Sequence, residues 1–172
     1  MTTATPDTTD DDIYALATRI VAQLTYRRER IAVAESLTGG LLAAAITAAP
    51  GASDVFTAGI VAYLPETKTA LLGVPASIID TAGVVSKPVA EAMAVGAAEH
   101  GNADWGIGTT GVAGPAAHGG RPPGDVVIGL RSPDGSVHSV EHRLNGDRGT
   151  VRRQSVAAAL RLLLTGMTDV AN

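Results

Sequence analysis

Apolar positions along this chain change period several times, and each change marks an element. Ile13, Leu16, Ile20, Val21 and Leu24 fall at helical spacing, which predicts a first helix with Asp10 or Asp11 as its cap. Arg30-Ile31-Ala32-Val33-Ala34 is an apolar run opened by a charge and reads as a short buried strand. Leu41 to Ala49 is Leu/Ala-rich and stops at Pro50-Gly51, a second helix. After a turn over Gly51 to Asp54, Phe56 to Tyr63 reads as a second strand. Pro65 suits the first turn of a short helix through Leu72, and Ser77 to Thr81 reads as a further helical turn. Ser86 is placed to cap a longer helix, with Gly101 just beyond its end. Asp104 to Thr109 predicts a third strand. Asp125 to Arg131 and Ser136 to Arg143 alternate across Pro133-Asp134-Gly135, the pattern of an antiparallel hairpin. A last helix follows Gly146-Asp147-Arg148, with Val151, Ala159, Leu160, Leu163 and Leu164 inward and Gly166 as its stop. The order α-β-α-β-α-α-β-β-β-α predicts an α/β fold, a three-layer α/β/α sandwich on a mixed, mainly parallel sheet of about five strands. Residues 1–9 read as a disordered tail, and residues 10–168 as one domain.

Within this pattern, Ala34-Glu35-Ser36-Leu37-Thr38-Gly39-Gly40 forms a strand-to-helix turn. Such turns lie at the carboxyl end of a strand, where α/β sheets bind ligands. Glycine lets backbone approach a ligand, and the free N–H groups of a first helical turn favour anions. Ser36 is therefore placed either to attack a substrate or to hold a phosphate. The plainer alternative is that Thr38 caps the helix and the glycines make a tight turn. Thr110-Gly111-Val112-Ala113-Gly114-Pro115 is a second Gly-rich loop at a strand end, followed by an irregular stretch over residues 116–123.

Composition narrows the function classes. Of 172 residues, 45% are hydrophobic and only 3% aromatic, which predicts a core of small aliphatic side chains. The net charge of −4 provides no basic stripe for nucleic acid. With no cysteine, disulfide scaffolds and Cys-ligated zinc sites are excluded. No apolar run approaches the roughly 18 residues of a membrane span. The N-terminus is polar and acidic rather than signal-like, which makes a cytoplasmic location the expectation.

Several familiar sites are missing: no Gly-x-x-x-x-Gly-Lys-Ser/Thr loop, no Gly-x-Gly-x-x-Gly after a strand, no Gly-x-Ser-x-Gly elbow. His100, His118, His138 and His142 are scattered; His138 and His142 would share a strand face, and all read as surface imidazoles rather than metal ligands. Lys68 and Lys87 are the only lysines, against eleven arginines. Lysine can lose its proton in a suitable site and arginine cannot. Lys68 falls in a first helical turn, where the dipole disfavours a charged amine. A Ser–Tyr–Lys set of Ser36, Tyr63 and Lys68 would activate a hydroxyl without histidine. Against it stand a solvated lysine and a half-buried packing tyrosine. Glu35 either steers Lys68 or simply ends a strand. Arg148, Arg152 and Arg153 oppose the dipole at the start of the last helix. A bound anion on Arg148 and Arg152 would explain them, as would a surface pair with Asp147.

Together the stretches Ala34 to Gly40, Pro50 to Ser53, Gly59 to Tyr63 with Lys68, Leu72 to Val74, Gly83 to Ser86, Thr110 to Pro115, and Gly146-Asp147-Arg148 with Val151-Arg152 resemble the CinA C-terminal domain family. Its active members are nicotinamide mononucleotide amidases, and order and spacing match over roughly residues 12–165. The resemblance implies hydrolysis of the carboxamide of nicotinamide mononucleotide to nicotinate mononucleotide and ammonia, without metal or cofactor. It implies a homodimer and the same three-layer fold. Ser36 would be the nucleophile, with Tyr63 and Lys68 passing its proton. Thr38, Gly39 and Gly40, with Thr110, Gly111, Ala113 and Gly114, would line the nucleotide pocket. Arg148 or Arg152 would contact the phosphate. Some members carry an N-terminal pyrophosphatase-like domain; the length of this chain implies the amidase half only.

Two departures stand out. Leu37 occupies a position where the family usually has Cys. In Gly119-Gly120-Arg121-Pro122-Pro123-Gly124-Asp125, Arg121 and Asp125 replace the Lys and Thr of a Lys-Pro-Val-Gly-Thr stretch. A new carboxylate there would repel a phosphate, which leaves a non-catalytic nucleotide-binding or regulatory module as the second reading. A DNA role, suggested only by the competence-linked family name, is disfavoured by the acidic balance.

Overall fold

The computed structural model describes residues 8–169. Of the tail expected over residues 1–9, the first seven fall outside the described residues. Helix α1, Asp10–Arg27, is capped neither by Asp10 nor by Asp11. Thr9 and Asp12 form a reciprocal box instead, Thr9 Oγ1 accepting from Asp12 N (3.1 Å) and the Asp12 carboxylate from Thr9 N (3.0 Å).

Strands β1 (Ile31–Glu35), β2 (Phe56–Val61), β3 (Trp105–Gly111), β4 (Asp125–Arg131) and β5 (Val137–Arg143) form one five-stranded sheet in the order β2-β1-β3-β4-β5. β1 pairs in parallel with β2 and β3, while β3–β4 and β4–β5 are antiparallel. This is the mixed sheet that the pattern predicts. Three further helices, α2 (Leu41–Thr47), α4 (Pro65–Leu72) and α6 (Lys87–Gly101), fall where expected. The stretch Ala76–Ala82 forms α5, and Ala52–Val55 makes a single-turn helix, α3, where only a turn was expected.

Alternation along the strands sorts the sheet into two faces. Ile31, Val33, Trp105, Ile107, Val126, Ile128 and Leu130 pack against α1, α2 and the last helix, α7 (Arg148–Asp169). Ala32 and Ala34 face α4 and α6. On that second face β3 and β4 carry Gly106, Gly108 and Gly129, with Gly108 and Gly129 directly paired. A Cβ on Gly108 or Gly129 would lie 2.3 Å from the Ala90 carbonyl oxygen, and one on Gly106 2.0 Å from that of Ala94. The α6 backbone therefore rests on a floor of glycines.

Two helix signals act differently from their prediction. Gly166 does not stop α7, which continues to Asp169. Its hydrogen faces Leu130 and Trp105, where a Cβ would come within 2.8 Å of Leu130 Cδ2, so packing rather than termination explains the glycine. Ser86 holds the N-cap position of α6, but its Oγ donates to Gly83 O (2.8 Å) and makes no side-chain cap bond.

Candidate active site

β1 delivers Ser36 to its carboxyl end, and Ser36 N extends the pairing by donating to Thr109 O at 3.0 Å. The turn closes through Gly39 N to Ser36 O, 3.1 Å. Gly39 and Gly40 have φ of +58° and +97°, the left-handed region that favours glycine. Glu35, expected to steer Lys68 or end a strand, is the last residue of β1 and also clamps the helix that follows. Its fully buried carboxylate accepts from Gly40 N (3.0 Å), Leu42 N (3.1 Å) and Ala43 N (2.8 Å). The first turn of α2 is thus occupied by an internal anion. Thr38 does not cap; Gly40 sits at the N-cap, and the buried Thr38 Oγ1 lies 2.8 Å from Thr109 Oγ1.

Lys68 projects from α4 into the interior, with no exposed surface. Its Nζ lies 3.1 Å from Ser36 Oγ and donates to Ala62 O (2.8 Å) and Tyr63 O (3.1 Å). Burial drives its pKa down to about 8 from 10.5, against a smaller upward pull from Glu66. Desolvation therefore does what the helix dipole was expected to do. A neutral amine has two N–H donors and one lone pair. With two carbonyls accepting, the lone pair is left for Ser36 Oγ, and the protonated form simply donates to all three oxygens.

Tyr63, expected to pass the serine proton with Lys68, turns its side chain outward instead, with no bond from its hydroxyl to Ser36 or Lys68. Its hydroxyl accepts from Arg148 Nη2 at 3.0 Å, and Arg148 Nη1 donates to Gly114 O at 2.8 Å. Thr110 Oγ1 donates to Val84 O (2.8 Å), which leaves its lone pairs free to accept. These groups border a cavity of about 240 Å³ between the Ser36 turn, the Tyr63–Pro65 segment, Val84 and Val85, the 110–114 loop and Arg148. Of the residues anticipated from sequence, Ser36, Tyr63, Thr110, Gly111, Ala113, Gly114 and Arg148 meet at this cavity, with Lys68 behind Ser36.

Thr38, Gly39, Gly40 and Arg152 do not line it. Arg152 is held away: Nε donates to Leu37 O (3.0 Å) and Nη2 to Thr38 O (2.9 Å). Asp147, the alternative partner for the arginines, caps α7 by accepting from Thr150 N at 2.7 Å. Leu37, Val84, Val85 and His118 also face the cavity and were not named as site residues from sequence. Leu37 carried a local signal in its place beside Ser36, and His118 in its place just after the second Gly-rich loop.

A family model for the CinA C-terminal domain matches residues 13–167. This chain belongs to the CinA C-terminal domain family. The CinA-like protein of Anaeromyxobacter sp. (strain Fw109-5) is 48% identical over 147 residues, 84% of this chain and 35% of that protein. A CinA-like protein of Frankia casuarinae is 44% identical over 154 residues, 89% of this chain and again 35% of the relative. This chain thus spans little more than a third of the length of these curated relatives. Among solved structures, the competence/damage inducible protein CihA from Agrobacterium tumefaciens superposes with a TM-score of 0.86 at 34% identity, over 96% of this chain and 98% of that one. A CinA superfamily protein from Klebsiella pneumoniae 700603 gives 0.88 at 30% identity, over 91% and 98%.

The departures from the usual CinA sequence have local explanations. Asp125, the carboxylate set to repel a phosphate, is paired with Arg143 and lies 3.7 Å from Arg121, which itself reaches Glu141 at 3.5 Å. None of these four side chains borders the cavity. His142, on the neighbouring strand β5, is half-buried and its pKa is lowered by desolvation. Among the described residues no group of three or more His, Asp or Glu is placed to hold a metal ion, and no helix is long and apolar enough to cross a membrane.

Proposed function

We propose that this CinA domain is an amide hydrolase that deamidates nicotinamide mononucleotide to nicotinate mononucleotide and ammonia, a step of pyridine nucleotide salvage. The observation that carries the reading is the contact of a fully buried, pKa-lowered Lys68 Nζ with Ser36 Oγ at 3.1 Å. In this reading Ser36 Oγ attacks the carboxamide carbon while neutral Lys68 accepts its proton. The lysine then returns that proton to the departing nitrogen, which leaves as ammonia. Water attacks the resulting ester, giving its proton to Lys68, which passes it to the departing Ser36 Oγ as nicotinate mononucleotide forms. Thr110 Oγ1 can accept a carboxamide N–H, since its own hydrogen goes to Val84 O. Arg148 supplies the charge for the phosphate, supported by Tyr63 and Gly114 at the outer wall. The same reading needs no cofactor. It keeps the expectations of one domain over residues 10–168, a homodimer and a cytoplasmic substrate pool.

The test is ammonia release from nicotinamide mononucleotide beside free nicotinamide, with Ser36→Ala as control. The expected result is release from the nucleotide that the alanine variant loses. Tight binding of the nucleotide without turnover would overturn the reading and select a nucleotide-binding module.

A further inference from the structure

We propose that the backbone N–H of Leu37 is the oxyanion donor of this centre, and that Arg152 is the positioning residue that fixes the turn carrying it. The inference rests on the amide-hydrolase reading of Ser36 and adds the group that would stabilise its tetrahedral intermediate. Every backbone donor in the turn other than those of Leu37 and Thr38 has a partner. Ser36 N donates to Thr109 O, Gly39 N to Ser36 O, Leu41 N to Thr38 O, and Gly40, Leu42 and Ala43 N donate to Glu35. Leu37 N and Thr38 N have none, although Leu37 is 4% exposed and Thr38 not at all. A buried donor without an acceptor is costly, so native chains keep one chiefly where function supplies the acceptor.

The carbonyls of the same two residues are both fixed. Arg152 reaches across from α7 to donate Nε to Leu37 O at 3.0 Å and Nη2 to Thr38 O at 2.9 Å. In a trans peptide the C=O and the following N–H point to opposite sides. Gly39 N holds Ser36 O on one side, so the Leu37 N–H points to the other, and Arg152 fixes the next two carbonyls of the same turn. Leu37 N–H belongs to the residue after the nucleophile, the position that supplies an oxyanion donor in serine hydrolases built on a strand-to-helix turn. As Ser36 Oγ bonds to the carboxamide carbon, the C=O π pair moves to oxygen and this donor receives the charge. Arg152 does not border the cavity, and two of its donors are held by the carbonyls of the turn.

The test separates kcat from KM in Arg152→Met, which keeps the aliphatic stem and loses both donors, with Arg148→Ala in parallel. Losing an oxyanion donor's alignment should lower kcat by about 10²-fold, with KM changed less than about 3-fold because substrate and transition state share the remaining contacts. Arg148→Ala should instead raise KM by about 10-fold, the size of a charge-assisted contact. The rise of kcat/KM with pH should persist in Arg152→Met, which shows that Ser36 and Lys68 still meet; its loss would reduce Arg152 to a structural prop and overturn the proposal. A raised KM with normal kcat would make Arg152 a phosphate ligand and also overturn it. If the methionine variant does not fold, Arg152→Lys serves, since one ammonium cannot reproduce the two-pronged bond; normal kcat there refutes the positioning role. A wild-type protein without turnover takes the amidase reading and this inference down together, whereas an active wild type with a KM-only Arg152 effect removes this inference alone.

Discussion

Lys68 is one of two lysines in the chain, and it has no exposed surface while most of the eleven arginines reach solvent. Its three oxygen neighbours satisfy both of its protonation states, which is what a reversible base requires. Arginine at this position would keep the charge and stay protonated throughout the working pH range. Lys68→Arg is therefore expected to lose kcat by a factor on the order of 10² or more, the scale of general-base loss. In the wild type kcat/KM should climb about tenfold per pH unit below the Lys68 pKa of about 8 and level off above it. Near-normal kcat in a folded Lys68→Arg protein, verified by thermal unfolding, would remove Lys68 from the chemistry. The composition pointed at Lys68, but the cause of its lowered pKa was legible only in three dimensions, where burial outweighs the dipole. Arg148 and Arg152 show the same limit. Their spacing puts them on one helix face, yet one borders the cavity and the other grips the backbone behind it, and periodicity cannot tell these apart.

The elements were legible where each signals itself locally. β1, α4 and the β4–β5 hairpin follow from apolar runs, Pro65 and Pro133-Asp134-Gly135. Signals that depend on a neighbour were not legible. Gly166 looks like a helix stop because nothing in the sequence says that Leu130 and Trp105 lie against it. Gly106, Gly108 and Gly129 look like weak points in their strands, and only the approach of α6 shows that they set its distance from the sheet. Gly129→Ala should be the sharper probe, since the added carbon would meet backbone atoms of α6, Ala90 O at 2.3 Å and Ala90 C at 2.5 Å. The helix must move, which should cost about 2–3 kcal/mol or more, the scale of overpacked cores. A urea midpoint unchanged from wild type would show that α6 tolerates the shift. Gly135→Ala is the wrong comparison, because its φ of +85° adds backbone strain in open space; Gly129 has ordinary strand geometry and isolates the contact.

At the scale of the whole molecule, a mixed sheet brings the ends of β1 and β3 beside the start of α7, joining residues such as Leu37 and Arg152 that are 115 apart in sequence. The mixed character of the sheet followed from the element order, but its strand order and these meetings did not. The buried base also leaves a thermodynamic mark on folding. The unfolded chain holds the Lys68 proton up to about pH 10.5, whereas the folded chain releases it near 8. Between those values the unfolded state binds more protons, so stability rises with pH, and below about 8 the folded state bears the full penalty. Relative to Lys68→Met, the wild type should gain roughly 3 kcal/mol across that window, at about 1.4 kcal/mol per pH unit. Parallel pH profiles of unfolding free energy for the two proteins would show that the amine is not desolvated. Glu35, finally, bears on which way round the proposed guest would sit. The strand-end turn already houses a negative charge on the N–H groups a phosphate would have sought. An anion gains nothing from the α2 terminus, and under the proposed reading a two-ended ligand would trail its charged end at Arg148.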